Sequence, residues 1–296
     1  MNKLLLITLT FLITCQVYGQ ANPTELAQPI VEEGKMLYKS EMASWHGTDL
    51  FLEKYKNLER VKGYFSYSEA LVTKCIFFSR DSIPVVLGTI EFDTTFQVST
   101  AKVNIEERAF STKEKELHII REKAMVEIQT DTLFKTYSNT NLNLIPIINE
   151  NKKKVYILTG PQEEGVVIIG NDYLILFDEE NEVISKKKLH KNIIPIYYGE
   201  EKEGAEAIGA MHSHLPETGE FITATDICTL MMYSKYAKWK THNVVSTKYL
   251  NIWNCETNNL VVLPMDVVKK INKDQEKRGK KKKKKNKKRK RKADAK

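Results

Sequence analysis

Apolar positions in the first part of the chain recur at helical spacing. Between residues 23 and 60, Leu26, Ile30, Val31, Met36, Leu37 and Met42 follow an approximate helical period, and Pro23 opens the segment. Gly34 and Gly47 are expected to break it into pieces. Over residues 63–96 the pattern changes to short β-rich runs, around Tyr64–Tyr67, Cys75–Phe78 and 85–92, separated by turns such as Arg80-Asp81-Ser82. Residues 112–137 carry an apolar stripe of Leu117, Ile120, Ala124, Ile128 and Leu133 with Lys and Glu opposite, which predicts a long helix. After Ser138-Asn139-Thr140-Asn141 the alternation predicts an antiparallel meander. Its strands fall at 155–159, 166–177 with a bulge at Gly170-Asn171, 183–189 and 193–198. A short apolar strand at 205–211, a helix at 224–239 and two last strands at 244–253 and 260–264 complete the pattern.

This pattern defines an α+β chain, an antiparallel β meander with flanking helices, preceded by a mixed helix and strand segment. The segments are 20–140, 141–268 and a tail at 269–296. With 42% hydrophobic residues, a chain of 296 residues can bury a substantial core. The net charge of +8 is unevenly placed. The tail holds 18 Lys/Arg against 3 Asp/Glu, which leaves 28 against 35 in the rest of the chain. The body is mildly acidic, and the Lys/Arg run at 280–292 is expected to repel itself and stay disordered. Lacking aromatics, that run would bind anionic polymers or membrane surfaces without sequence preference.

The amino terminus bears on the compartment. Asn2 and Lys3, the apolar stretch at 4–14 and the small Gly19 read as a secretory signal peptide over residues 1–19, so the expectation is a secreted or periplasmic protein. A lipoprotein signal ending at Cys15 is the alternative. No later stretch has the 20 or so apolar residues of a membrane span. Beyond residue 19 the cysteines are Cys75, Cys228 and Cys255. They read either as one Cys228–Cys255 bridge with a lone thiol or as three buried thiols.

Chemistry concentrates between His212 and Asp226. His212 and His214 stand two apart at a strand end, so both imidazoles point to one face. Asp226 falls in the first turn of the next helix, which returns the chain toward that strand end. Two imidazoles and a carboxylate suit zinc, and three protein ligands leave a fourth position for a water that zinc makes nucleophilic near neutral pH. Thr223-x-x-Asp226 is equally a helix-capping pattern, which requires no metal. His190, in Lys-Leu-His-Lys, is expected to be solvated, and the spacing of His242 reveals no partner for it.

His-x-His, a spacer and Thr-x-x-Asp at a helix start resemble the JAB/MPN metalloprotease superfamily with its JAMM motif, over residues 141–265. The spacer is one residue longer than the usual motif, and Thr replaces Ser. The resemblance implies a JAB/MPN-like domain with zinc held by His212, His214 and Asp226. It places Thr223 as the oxyanion-stabilising hydroxyl. It also calls for an upstream catalytic glutamate, for which Glu164, ahead of Gly165-Val-Val-Ile-Ile-Gly170, matches the context, while Glu163, Glu127, Glu217 and Glu220 are further candidates. Two functions follow as expectations. One is a secreted zinc-dependent hydrolase of peptide or isopeptide bonds. The other is a noncatalytic cell-envelope binding module docked by its basic tail.

Overall fold

A computed structural model of the chain describes residues 22–150, 152–199 and 208–293. The segment read as a signal peptide, with Cys15, lies outside the described residues. The chain opens with a single turn, α1 (Pro23–Leu26), and a long helix, α2 (Gln28–Lys54). Gly34 and Gly47 do not break α2, contrary to the expectation from sequence. They are its points of closest approach to neighbours. A Cβ on Gly34 would lie 2.6 Å from Ile227 Cβ and 2.9 Å from the Ala224 carbonyl oxygen, and one on Gly47 would lie 2.8 Å from Cys75 Cβ. An interior glycine costs a helix about 1 kcal/mol, and here close packing offsets it.

One face of α2 lies on an antiparallel sheet of β1 (Val61–Glu69), β2 (Val72–Ser79), β3 (Val86–Phe92) and β4 (Lys102–Asn104). Met42 and Phe51 pack there with Cys75, Phe77 and Ile90, and the Phe51 and Phe77 rings stack 3.9 Å apart. The helix α3 (Thr112–Thr130) begins at a capping box between Ser111 and Glu114. Its stripe joins two cores: Leu117 packs with Phe65, Ile76 and Phe78, while Ile120 and Ala124 pack with Val155, Ile157 and Tyr173.

The next strands are β5 (Thr140–Asn149) and β6 (Lys152–Pro161), paired in antiparallel register. The single bulged strand expected at 166–177 is two strands, β7 (Val166–Gly170) and β8 (Tyr173–Phe177), belonging to different sheets. Gly170 (φ +86°) and Asn171 (φ +58°) turn the chain through left-handed backbone, which ends one strand and redirects the next. β8 joins β6 and β9 (Val183–Lys188), giving the order β5-β6-β8-β9, while β7 pairs with β10 (Ile193–Tyr197).

The last unit runs β11 (Gly209–Ser213), α4 (Ala224–Tyr233), β12 (Thr241–Val245), β13 (Tyr249–Asn254) and β14 (Asn259–Pro264), in that sheet order. The two final strands expected are three, because Ser246 closes a turn: its backbone N–H donates to the Tyr249 carbonyl. Antiparallel pairing holds throughout except between β11 and β12, which are parallel. The reason is α4, which crosses between them as a connection of the kind parallel neighbours need. Its Ile227 and Leu230 meet Val31 of α2, Val167 and Ile169 of β7, and Trp253 in one core. The amino-terminal helix thus packs against both the first sheet and the last unit.

Cys75, Cys228 and Cys255 are all free, the first two buried and Cys255 partly so, which is the second of the two cysteine readings rather than the Cys228–Cys255 bridge. One further expectation changes. The basic tail, expected disordered, continues a helix, α5 (Met265–Ala293). Lys, Arg, Glu and Gln are good helix formers, and Lys270–Asp266 and Lys277–Asp274 pairs at i,i+4 and i,i+3 support its first turns. Among the described residues no helix is long and apolar enough to cross a membrane.

The α2 contacts generate two predictions. Gly34→Ala drives a methyl into Ile227 and the Ala224 carbonyl, and should cost about 1–3 kcal/mol in urea unfolding. Glu41, on the buried side of α2, accepts one hydrogen bond from Asn143 Nδ2 at 2.9 Å, and burial pushes its carboxyl from 4.5 up to about 7. The folded chain then holds a proton that the unfolded chain releases. This contribution is fully present below pH 4.5 and is lost as pH rises through 7. Glu41→Gln should therefore flatten the stability profile across that window, by roughly 3 kcal/mol relative to the parent.

Candidate metal centre

Four buried side chains converge beside the amino terminus of α4. His190, His212, His214 and Asp226 each offer a ligand atom, and these atoms all lie within 4.8 Å of one another. The structure thus brings together the three residues that the sequence singled out and adds a fourth. His190, expected among solvated lysines, is only 5% exposed. It follows β9, where Leu189 N–H donates to the Asp172 carbonyl at 2.8 Å and folds the chain inward. Gly170 makes room for it. A Cβ there would meet the Asn192 carbonyl oxygen at 2.3 Å and His190 Cβ at 3.1 Å.

The parallel pairing of β11 with β12 sets the His-x-His. His212 lies opposite Val244, and His214 N–H extends the ladder to the Val245 carbonyl at 2.8 Å. Fully buried Asn251 on β13 holds the following loop, accepting from Ile222 N–H and donating to the Glu220 and Val244 carbonyls. That loop carries the Phe221 carbonyl to 3.0 Å from His214 Nδ1. A carbonyl only accepts, so Nδ1 donates, and in the Nδ1–H tautomer His214 turns a bare Nε2 lone pair into the cluster.

His212 Nε2 stands 3.0 Å from that Nε2, and His212 Nδ1 lies 2.8 Å from His242 Nε2. His242 is fully buried on β12, and burial holds it down to about 3, so it stays neutral. Burial likewise lowers His212 to about 4, partly opposed by Asp226. When His212 Nδ1–H donates to His242, the His212 Nε2 is bare as well. Two lone pairs 3.0 Å apart repel unless a proton or a cation lies between them.

Asp226 completes the group from the first turn of α4. Its Oδ2 accepts from Thr223 N–H (2.9 Å) and the Thr223 hydroxyl (2.8 Å), and lies 3.2 Å from His214 Nε2. Its Oδ1 is buried with no hydrogen-bond partner. It stands 3.2 Å from His190 Nε2 and 3.6 Å from His212 Nε2, in neither case aligned as a hydrogen bond. Burial alone would raise this carboxyl, but His190 and His212 outweigh it and hold it well below the usual carboxylate range. For His190, burial acts downward, and Asp226 with Asp172 carries it upward. Asp172 Oδ2 lies 3.6 Å from His190 Nδ1, while its Oδ1 accepts from Thr159 N–H, and burial pushes it up to about 6.

The donor set fits a zinc-sized ion. Ligand bonds of about 2.0–2.1 Å in a tetrahedron place ligand atoms roughly 3.3–3.4 Å apart. Four of the pairs here lie between 3.0 and 3.6 Å, the Asp226–His214 pair through Oδ2 and the other Asp226 pairs through Oδ1, and the ligand atoms as a set lie within 4.8 Å of one another. Three imidazoles and one carboxylate suit zinc, and the partners of His212 and His214 are the outer-shell contacts that orient metal-bound imidazoles. The buried, otherwise unpartnered Oδ1 of Asp226 is the acceptor such an ion would satisfy.

The other two sequence candidates stand elsewhere or are already engaged. Glu164 lies in the exposed β6–β7 turn and lines a separate cleft, and it is not one of the four gathered groups. Thr223 caps α4, its hydroxyl accepting from Asp226 N–H at 3.0 Å and donating to Asp226 Oδ2. The capping reading of Thr-x-x-Asp and its ligand reading therefore coexist, since Oδ2 serves the cap and Oδ1 is left over. Sequence reasoning missed His190 and His242. The only signal for His190 was the Gly170-Asn171-Asp172 turn, whose partner in the fold is the His190 loop.

No family model, curated protein or solved structure matches this chain.

Loss of the Thr223 cap should weaken α4 and release Asp226 together. Thr223→Ala is expected to cost about 1 kcal/mol in urea unfolding. Thr223→Ser, which keeps the hydroxyl, should stay within about 0.5 kcal/mol of the parent.

Proposed function

We propose that the protein is an exported, zinc-stapled binding module rather than an enzyme of open metal chemistry. The observation that carries this reading is the fourth ligand. A catalytic zinc site keeps one position for water, whereas a structural site is closed by four protein ligands. His190 fills that position, and none of the four residues is more than 7% exposed. His190 follows β9 of one sheet, while His212, His214 and Asp226 belong to the β11–α4 unit beside another. A bound zinc would cross-link the two and relieve the lone-pair repulsion at the His pair. The basic helix α5 would dock this module on anionic polymers or membrane surfaces, with an attraction that weakens as salt rises.

The parallel β11–α4–β12 arrangement favours a second reading, hydrolysis of a peptide or protein substrate, which the JAB/MPN resemblance implies. In it His212, His214 and Asp226 hold the zinc, Thr223 steadies the oxyanion and Glu164 moves the proton. Zinc supplies Lewis acidity toward the scissile carbonyl. This reading requires His190 to yield its place and a carboxylate to reach the metal.

Elemental analysis tests the first reading. The purified chain should carry one zinc, and His212→Ala with His214→Ala should carry none. Zinc at a hundred times its Kd should raise stability by about 2.7 kcal/mol, or roughly 4–5 °C in Tm for a chain of this size. His190→Ala should weaken zinc binding by about tenfold or more. Equal, negligible zinc in the parent and the double variant would remove the metal altogether. Zinc-dependent peptide cleavage lost in Glu164→Gln would replace the module reading with the hydrolytic one.

A further inference from the structure

A second concave site lies along the other end of α4. It is a cleft of about 1010 Å³ between α2, α4 and the β6–β7 turn. Asp226 and the cleft residue Met232 stand six residues apart on α4, about 9 Å along its axis. Its walls have a one-sided chemistry. Among the described residues four carboxylates line it, Glu41, Asp49, Glu163 and Glu164, and no Lys or Arg does, although the whole chain has 46 Lys/Arg against 38 Asp/Glu. Five aromatic side chains line it as well, one Trp and four Tyr.

The arrangement follows from α2. Glu41, Trp45 and Asp49 stand four residues apart, so one helix face presents a buried carboxylate, an aromatic ring and an exposed carboxylate in a row. Glu41 is 7% exposed and has one hydrogen bond, from Asn143 to its Oε2. Among the described residues no basic side chain of the cleft wall offers it a counter-charge. At the rim, Trp45 and Tyr236 come from different helices with ring centroids 6.4 Å apart and planes 35° from parallel, and both are more than 40% exposed. The fold already places an ammonium on one of these rings, since Lys235 Nζ lies 4.8 Å from the Tyr236 centroid.

We propose that this cleft binds a small organic cation, with the Glu41 carboxylate as its buried counter-charge and Trp45 and Tyr236 flanking its entrance. A cation satisfies both halves of the lining at once. It supplies the counter-charge that lets the buried Glu41 carboxyl ionise, and it is attracted to aromatic faces. A neutral polyol would stack on the rings yet leave the carboxylates without a counter-charge. The volume is that of a small-molecule site, largely pre-formed. The inference is independent of the metal centre, because none of the four ligands lines the cleft.

Calorimetric titration of the full chain with choline and with 1,5-diaminopentane tests it. The control is 3,3-dimethylbutan-1-ol, which has the shape of choline without its charge. At least one cation should bind, and the alcohol should bind at least about tenfold more weakly than choline if choline is that cation. Glu41→Gln should weaken binding of the cation by about tenfold or more, and Trp45→Ala by about threefold or more. Asp49→Asn, an exposed change that leaves the core untouched, should weaken it measurably and keeps the test valid should Glu41→Gln fold poorly. Failure of both cations to bind overturns the proposal, as does choline that binds but no tighter than the alcohol. Affinity unchanged in Glu41→Gln and Asp49→Asn also overturns it, as does tighter binding of a neutral sugar such as maltose. Each result reads the same with or without zinc, so a metal-free protein that binds the cation separates this site from the staple.

Discussion

Helix α4 sits where it does because α2 can touch it. At Gly34 the two helices approach until Ile227 and the Ala224 carbonyl occupy the space of a missing side chain. Few packing constraints in the molecule reach further. α4 is ten residues long, with Asp226 in its first turn among the histidines and Tyr233 at its last residue on the cleft wall. The carboxylate of the candidate metal centre and an aromatic wall of the cleft are therefore fixed by one interhelical distance. Close-packed interiors transmit such constraints with little give. The contact also ties the first sheet, which packs on the far part of α2, to the last unit of the chain.

Charge divides the protein in a complementary way. The acidic excess of the body is gathered partly into the cleft, while the basic excess lies almost wholly in α5. In between, the candidate metal centre is an island of histidine lone pairs and one carboxylate with almost no access to water. Its members perturb one another because burial removes the solvent that would screen them. Outward ion pairs such as Arg60 with Asp81 and Glu107 contribute little by comparison, being screened and exposed.

Sequence periodicity revealed most of the elements, and local chemistry revealed three of the four side chains that cluster at the candidate metal centre. The His-x-His and Thr-x-x-Asp patterns lie within fifteen residues, where strand and helix geometry alone bring side chains together. His190 was illegible because its placement depends on a left-handed turn twenty residues earlier and on which sheet each strand joins. Neither property has a period. The same turn explains why 166–177 looked like one strand: Val166–Gly170 and Tyr173–Phe177 are alike in composition and differ only in partner. Gly34 and Gly47 misled for a related reason. A glycine in a helix looks like a break until the neighbour that needs the space is known. The tail misled in the opposite direction, since charge repulsion and helix propensity act against each other and repulsion alone was weighed.

The left-handed turn at Gly170 and Asn171 also bears on how the molecule reaches its folded state. His212, His214 and Asp226 close a loop of fifteen residues and need only β11 and α4, so their meeting costs little chain entropy. His190 comes into place only when β7 and β8 have parted into separate sheets and the chain after β9 has threaded back past Gly170. The three-residue nest is thus a local contact and the fourth arm a non-local one, and ordering by loop closure puts the arm last. A glycine with no chemistry of its own then governs the closing step of assembly, the moment at which the nest becomes a cage.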